Sequence, residues 1–258
     1  MSSLRMIGKA IMAGVMIALG AGISSVAAHT VGDVGLARLV AGAVFPVGLM
    51  MVVLMGAELF TGDCLFALGV LDRKQKLWHF ARLLVLVYIG NFIGAAIIAL
   101  LFSASGQWDY SSGMLGAYTI KVALAKVNIS FVQGIVSGIL CNIMVCAAVI
   151  MAVCAKDVTG KLLVSFFVIM LFVVGGFEHC VANMYYITAG LLAKCDPRYA
   201  ELAMSTYGFS SEYMETLSIT RFFVTNLLPV TIVNIIGGAV CVAGPVYYLN
   251  RSKTRKSK

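Results

Sequence analysis

Hydrophobic positions along this chain fall in long, nearly unbroken runs, with neither strict alternation nor a one-faced stripe. Six runs stand out, at 10–29, 40–70, 83–104, 129–153, 162–193 and 220–248. A hydrocarbon core about 30 Å thick is spanned by about 20 residues of α-helix, so each run predicts one membrane crossing. The first run follows Arg5 and Lys9 and resembles a secretory leader. It is long for a leader's apolar region and five more spans follow, so it is read as a retained helix. The second and fifth runs are too long for one crossing, and polar residues and glycine interrupt both. One interruption is Gly56-Ala57-Glu58-Leu59-Phe60-Thr61-Gly62-Asp63. The other is Gly175-Gly176-Phe177-Glu178-His179-Cys180-Val181-Ala182-Asn183.

Both interruptions centre on Gly-X-Glu. The third and sixth runs also correspond, Asn91-Phe92-Ile93-Gly94-Ala95 against Asn234-Ile235-Ile236-Gly237-Gly238-Ala239. Runs one to three therefore repeat as runs four to six. Three crossings per repeat is an odd number, so the halves run in opposite directions across the bilayer. Broken helices at matching places in two inverted halves point to a transport site near the midplane. The predicted fold is an all-α integral membrane protein of one domain, 1–258: six transmembrane helices in two inverted three-helix repeats, helices 2 and 5 broken.

Composition agrees. The chain is 61% hydrophobic and 12% charged, about half the charged share of soluble domains. Net charge +8 would fit nucleic acid if the cations formed an aromatic-studded patch, but they sit in short loops and no nucleic-acid partner is expected. Thirteen of the nineteen Lys and Arg fall on the side of the termini and six on the other. The positive-inside rule then places both termini in the cytoplasm, with a basic tail at 250–258; the plasma membrane is the expected location. Trp108 and Tyr110 in the loop after the third run suit the membrane interface. Residues 116–127 carry apolar positions at helical spacing, and 194–220 form a polar cap. The seven cysteines include no Cys-X-X-Cys pair and the three histidines lie far apart, so neither a metal, another cofactor nor a disulfide framework is expected.

Candidate chemistry concentrates at Glu178 and His179. Ionisable groups at membrane depth cost several kcal/mol and usually face a cavity or pathway; a buried pair that only ties helices together is the plainer alternative. His29 and His79 stand at loop edges. Glu58 is expected to bond amides of its own loop, and Asp63 to act as a helix N-cap.

The motifs resemble those of the formate–nitrite transporter family. Residues 56–62 resemble its first signature and Gly138 to Ala148 its second, departing at Ala147. Residues 176–184 and Asn226 to Gly238 match its fifth- and sixth-helix motifs. Among branches the chain looks most like the clostridial hydrosulfide channel. The resemblance implies an aquaporin-like fold without Asn-Pro-Ala boxes and a homopentamer with one pore per protomer in the lipid bilayer. It also assigns positions: Leu49, Phe60 and Phe172 as pore constrictions, and Lys126 as the outer lysine. Thr61, Asn142 and Asn183 become the polar residues tying the broken loops around His179. The N-terminal helix common in the family is short here.

A bare anion is far harder to desolvate than its neutral acid, so a ring of Leu and Phe favours the protonated form of a small weak-acid anion such as formate, nitrite or hydrosulfide. Lys126 would concentrate the anion. His179 titrates unperturbed near neutrality, and either proton transfer or hydrogen-bond donation would suit it, with Glu178 able to set its tautomer. Two other classes remain: an aquaporin-like channel for neutral solutes, and a membrane-embedded enzyme using Asp63, Cys64 or His179. No nucleophile–base spacing supports the enzyme, and the lysine and histidine favour anions.

Overall fold

The computed structural model describes residues 2–250; residues 251–258 of the basic tail lie outside the described residues. Eleven helical segments account for most of the described chain. They are α1 (Ser3–Ala28), α2 (Val34–Met55), α3 (Phe60–Leu71), α4 (Leu77–Ala104), α5 (Met114–Val127), α6 (Phe131–Cys154), α7 (Val158–Gly175), α8 (Cys180–Lys194), α9 (Pro197–Tyr207), α10 (Ser211–Glu215) and α11 (Ile219–Asn250). No strand occurs among the described residues. Six segments, α1, α2, α4, α6, α7 and α11, are long and apolar enough to cross a membrane. The second run divides into α2 and α3, and the fifth into α7 and α8.

Local chemistry sets the boundaries. Side chains of Asp33, Ser130 and Asp157 accept the amides of Leu36, Gln133 and Gly160 at the starts of α2, α6 and α7, as N-cap residues do. Gly56 and Gly176 end α2 and α7 with φ of 61° and 70°, a left-handed conformation that glycine adopts without a Cβ penalty. Three non-helical residues follow each glycine before α3 and α8 begin. The chain is thus interrupted midway through the bundle at two equivalent places, and α3 and α8 complete the crossings that α2 and α7 begin.

The halves close through small residues. α1 packs along α4, and α6 along α11. A Cβ on Gly94 would stand 2.2 Å from the Ile11 carbonyl oxygen, and one on Gly237 would stand 2.5 Å from that of Ile139. Backbone therefore meets backbone at matching places, the packing that small residues allow where lipid supplies no hydrophobic drive between helices.

A polar cap covers the face opposite the termini. Tyr199 of α9 donates its hydroxyl to Asp109 at 2.7 Å, and Arg198 donates to Asp196 at 2.7 Å. That guanidinium holds the Asp196 carboxyl below its ordinary range. Trp108, expected at the interface, is instead 3% exposed, because its ring packs edge-on against Tyr199 beneath α9.

Candidate functional site

Each helix break is pinned by one buried asparagine. Asn91 of α4 accepts the Phe60 amide at 2.9 Å and donates to the carbonyls of Ala10 and Glu58 at 2.8 and 3.0 Å. Asn234 of α11 accepts the Cys180 amide at 2.9 Å and donates to Gly138 and Glu178 at 2.8 and 3.0 Å. Both side chains are 0% exposed. The last carbonyls of one segment and the first amides of the next lack intrahelical partners at each break and are costly in hydrocarbon; each asparagine satisfies one amide and one carbonyl there and bonds a further carbonyl on a packed helix, α1 or α6. The motif 226–238 and the correspondence of Asn91 with Asn234 were visible in the sequence; that these amides hold the breaks was not.

His179 stands at the start of α8 with 3% exposure. Its Nδ1 accepts the Ala182 amide at 3.0 Å, and its Nε2 lies 2.9 Å from the Thr61 hydroxyl of α3. An amide N–H can only donate, so Nδ1 carries no proton. In the neutral ring the proton is therefore on Nε2 and is donated to Thr61. The Thr61 hydroxyl hydrogen is then free to point elsewhere. A proton placed on Nδ1 would displace the Ala182 amide and uncap α8.

Glu178 makes no hydrogen bond to His179 and leaves its tautomer alone. It accepts from Lys126 Nζ at 2.6 Å, from Asn183 Nδ2 at 2.7 Å and from Asn226 Nδ2 at 3.2 Å. Asn226 also donates to the Lys126 carbonyl at 2.8 Å. Asn226 lies in a π-helical stretch of α11, Phe222–Leu227, a distortion that often marks a specialised position. Lys126 and Glu178 side chains are 17% and 5% exposed. A buried pair of this kind is strongly destabilising to break from one side only, so Lys126 holds α5 to the second break and its charge is matched there. Asn142 sits apart, donating to the Asn234 carbonyl at 2.6 Å; it orders α6 against α11 without touching the histidine.

Two cavities approach the Thr61–His179 pair and share no lining residue. The one on the side of the polar cap, about 290 Å³, is lined by His179, Asn183, Phe45, Phe172 and three cations, Arg38, Lys121 and Lys126, with no acidic side chain in its lining. The other, about 560 Å³, opens toward the termini and is lined by Leu49, Leu59, Asp63 and Lys161 among others. Phe172 meets the edge of Phe45 at 5.5 Å between ring centroids and lies 5.8 Å from the His179 ring. Phe60 is 2% exposed and packs on Tyr88 at 5.0 Å; the side chain that faces the lower cavity is its neighbour Leu59. Sequence reasoning missed Phe45, Leu59 and Arg38, since apolar residues in apolar runs carry no mark and Arg38 read as a loop charge. Asp63 does not cap a helix: it lies inside α3. Glu58 faces Lys9 Nζ at 3.8 Å and bonds none of its loop's amides. Among the described residues, no group of three or more His, Cys, Asp or Glu is placed to hold a metal.

Two inverted three-helix halves, two half-crossing helices and a polar pair between opposed vestibules define a membrane channel or transporter. The family model described as formate/nitrite transporter matches residues 1–248, and the chain belongs to that family. It is 37% identical over 220 residues to the formate channel FocA of Haemophilus influenzae, covering 84% of this chain and 76% of the relative. A pentameric formate channel solved with formate bound superposes with a TM-score of 0.84 at 31% identity, over 96% of each chain. A structure described as an FNT family ion channel superposes with a TM-score of 0.77 at 27% identity, over 95% of this chain and 90% of that one. These relatives are channels and transporters, and the chain is a multi-pass membrane protein of the same kind, not an enzyme.

Proposed function

We propose that this protein is a homopentameric channel of the plasma membrane, each protomer with its own pore, that carries formate and similar small weak acids past the Thr61–His179 pair. The formate channels among its relatives support formate as substrate. Nitrite and hydrosulfide share its charge and weak basicity and are the other candidates. Both termini lie in the cytoplasm on this reading, following the excess of Lys and Arg on their side.

The observation that carries the proposal is the single polar pair between two vestibules, with Phe45 and Phe172 on one side and Leu49 and Leu59 on the other. Apolar walls make the desolvated anion expensive, so the acid crosses neutral, or the anion crosses with a proton. Arg38 and Lys121 draw anions to the vestibule. At the narrow layer the substrate meets Thr61, whose hydroxyl hydrogen is released for it because His179 Nε2–H occupies the oxygen. His179 serves here as a fixed hydrogen-bond donor that polarises Thr61, its geometry set by the α8 cap.

Flux into proteoliposomes of formate, nitrite, hydrosulfide, chloride and glycerol tests the reading. Formate should cross fastest at low external pH and carry protons with it, and chloride and glycerol should cross slowly. His179→Phe removes the donor and should lower formate flux by about 10²-fold, the usual loss for one preorganised donor; His179→Asn should retain part of it. Normal formate flux through an intact oligomer of the Phe variant would overturn the mechanism.

A further inference from the structure

Arg38, Ala41 and Phe45 lie on one face of α2, at the spacings of three and seven residues that align side chains along a helix. All three line the vestibule on the side of the polar cap. Phe45 therefore stands about two turns, roughly 10 Å, deeper in the bundle than Arg38. The Arg38 guanidinium lies flat against the second break. A Cβ on Gly176 would stand 3.7 Å from each of its Cζ, Nη1 and Nη2, and a point equally distant from those three atoms lies over the face of the group. Gly56, the matching glycine of the first break, has nothing within 4 Å of the same point.

The three cations of this vestibule are not alike. Lys126 is matched by Glu178 at 2.6 Å. The Lys121 ammonium lies over the Tyr207 ring, 4.5 Å from its centroid, an attraction that uses part of its charge. Arg38 makes no hydrogen bond and no ion pair among the described residues. No acidic side chain lines the vestibule, so the N–H groups of Arg38 stand unengaged beside it. A guanidinium presents paired, coplanar N–H groups that match two oxygens of one planar group, whereas an ammonium is a point charge. The vestibule toward the termini has Lys161 as its single lining cation and no arginine.

We propose that Arg38 is a specificity-determining residue of the polar-cap vestibule, and that its paired N–H groups bind both oxygens of a small planar oxyanion such as formate or nitrite. The inference rests on the transport reading above and narrows its substrates. Hydrosulfide and chloride each offer a single accepting atom and gain only from the charge. Gly176 fixes the plane of the guanidinium, and an anion paired with its edge is held in that plane, about two turns along α2 from Phe45. Arg38 is exposed, so the second hydrogen bond gives about a twofold preference, weakened by salt.

The test is the concentration of formate, nitrite and hydrosulfide that half-saturates entry into proteoliposomes at low salt. Half-saturation does not depend on how much channel the vesicles hold, so a variant that assembles in low yield still reports. Arg38→Lys keeps the charge and loses the paired donors. It should raise half-saturation for formate and nitrite about twofold, as much as Arg38→Ala does, and leave hydrosulfide at the parent's value. Arg38→Ala should raise all three. Parent values for formate and nitrite in Arg38→Lys would overturn the two-oxygen contact, because charge alone would then suffice. A rise for hydrosulfide in Arg38→Lys equal to that for formate would overturn the selectivity. A parent that conducts none of the three anions would defeat the transport reading itself, and this inference with it.

Discussion

The two breaks share a frame and differ in chemistry. Gly56 and Gly176 make the same left-handed exit, and Asn91 and Asn234 make the same three bonds, two to the segment that follows the glycine and one to a packed helix. After the common glutamate the halves diverge: Leu59 stands where His179 does, Thr61 where Val181 does, and Asp63 where Asn183 does. Thr61 from one break meets His179 from the other, so the polar pair exists only across the two halves. The glutamates diverge as well. Glu178 has a buried lysine at 2.6 Å and two asparagines, whereas Glu58 has a half-exposed lysine at 3.8 Å. The repeat supplies a symmetric scaffold that solves the backbone problem of ending helices in hydrocarbon. The proposed pathway runs through the positions where symmetry lapses.

The glutamates give the sharpest way to break this comparison. Glu178→Ala should destabilise the protein by about 3–5 kcal/mol, because it strands Lys126 in a buried site. Glu58→Ala should change stability by less than about 1 kcal/mol, since Lys9 can turn to water. Thermal unfolding in detergent measures both, and equal losses would mean that the two ion pairs are equivalent after all.

A smaller and symmetric effect belongs to the asparagines. Asn91→Ala and Asn234→Ala each orphan a buried amide, which costs about 1–3 kcal/mol. Their melting shifts should match; a large shift in one alone would show that only one break needs its pin.

The smallest effect concerns the vestibule cations and sharpens the contrast between paired and unpaired charge. Arg38→Ala and Lys121→Ala should each slow formate entry about twofold at low salt and have little effect near 0.1 M salt, where charges are screened over about 10 Å. Lys126→Ala should act through stability, by exposing Glu178 to its own desolvation, with no comparable salt dependence. A Lys126 variant of normal stability whose uptake defect fades with salt would return the focusing role to that lysine.

How much of this could be read beforehand differs by type of residue. The six crossings follow from run length, because lipid leaves a helix no alternative but to satisfy its own backbone. The breaks follow from glycine and charge in runs that otherwise exclude them. The correspondence of Asn91 and Asn234 was legible as a rhyme, and the structure gave it a physical cause. The family resemblance assigned Lys126 as the outer lysine, yet Glu178 is fifty-two positions away in sequence and the pairing could not be inferred from either residue alone. Phe45 and Leu59 were invisible, since a pore wall in a membrane protein is made from the same residues as its lipid face.

The sequence by itself determined the class of molecule, the number of crossings, the inverted halves and the two places where helices break, because each depends on local hydrophobicity, local charge or glycine. Only the tertiary structure decided which polar groups meet. It joined Thr61 to His179 across 118 positions, turned the histidine's Nδ1 into a helix cap and so fixed its proton on Nε2, and matched the charge of Lys126 while leaving Arg38 open in the vestibule. Hydrogen bonds act over about 3 Å, and those distances are set by how the two halves close on each other, which no stretch of the chain specifies alone.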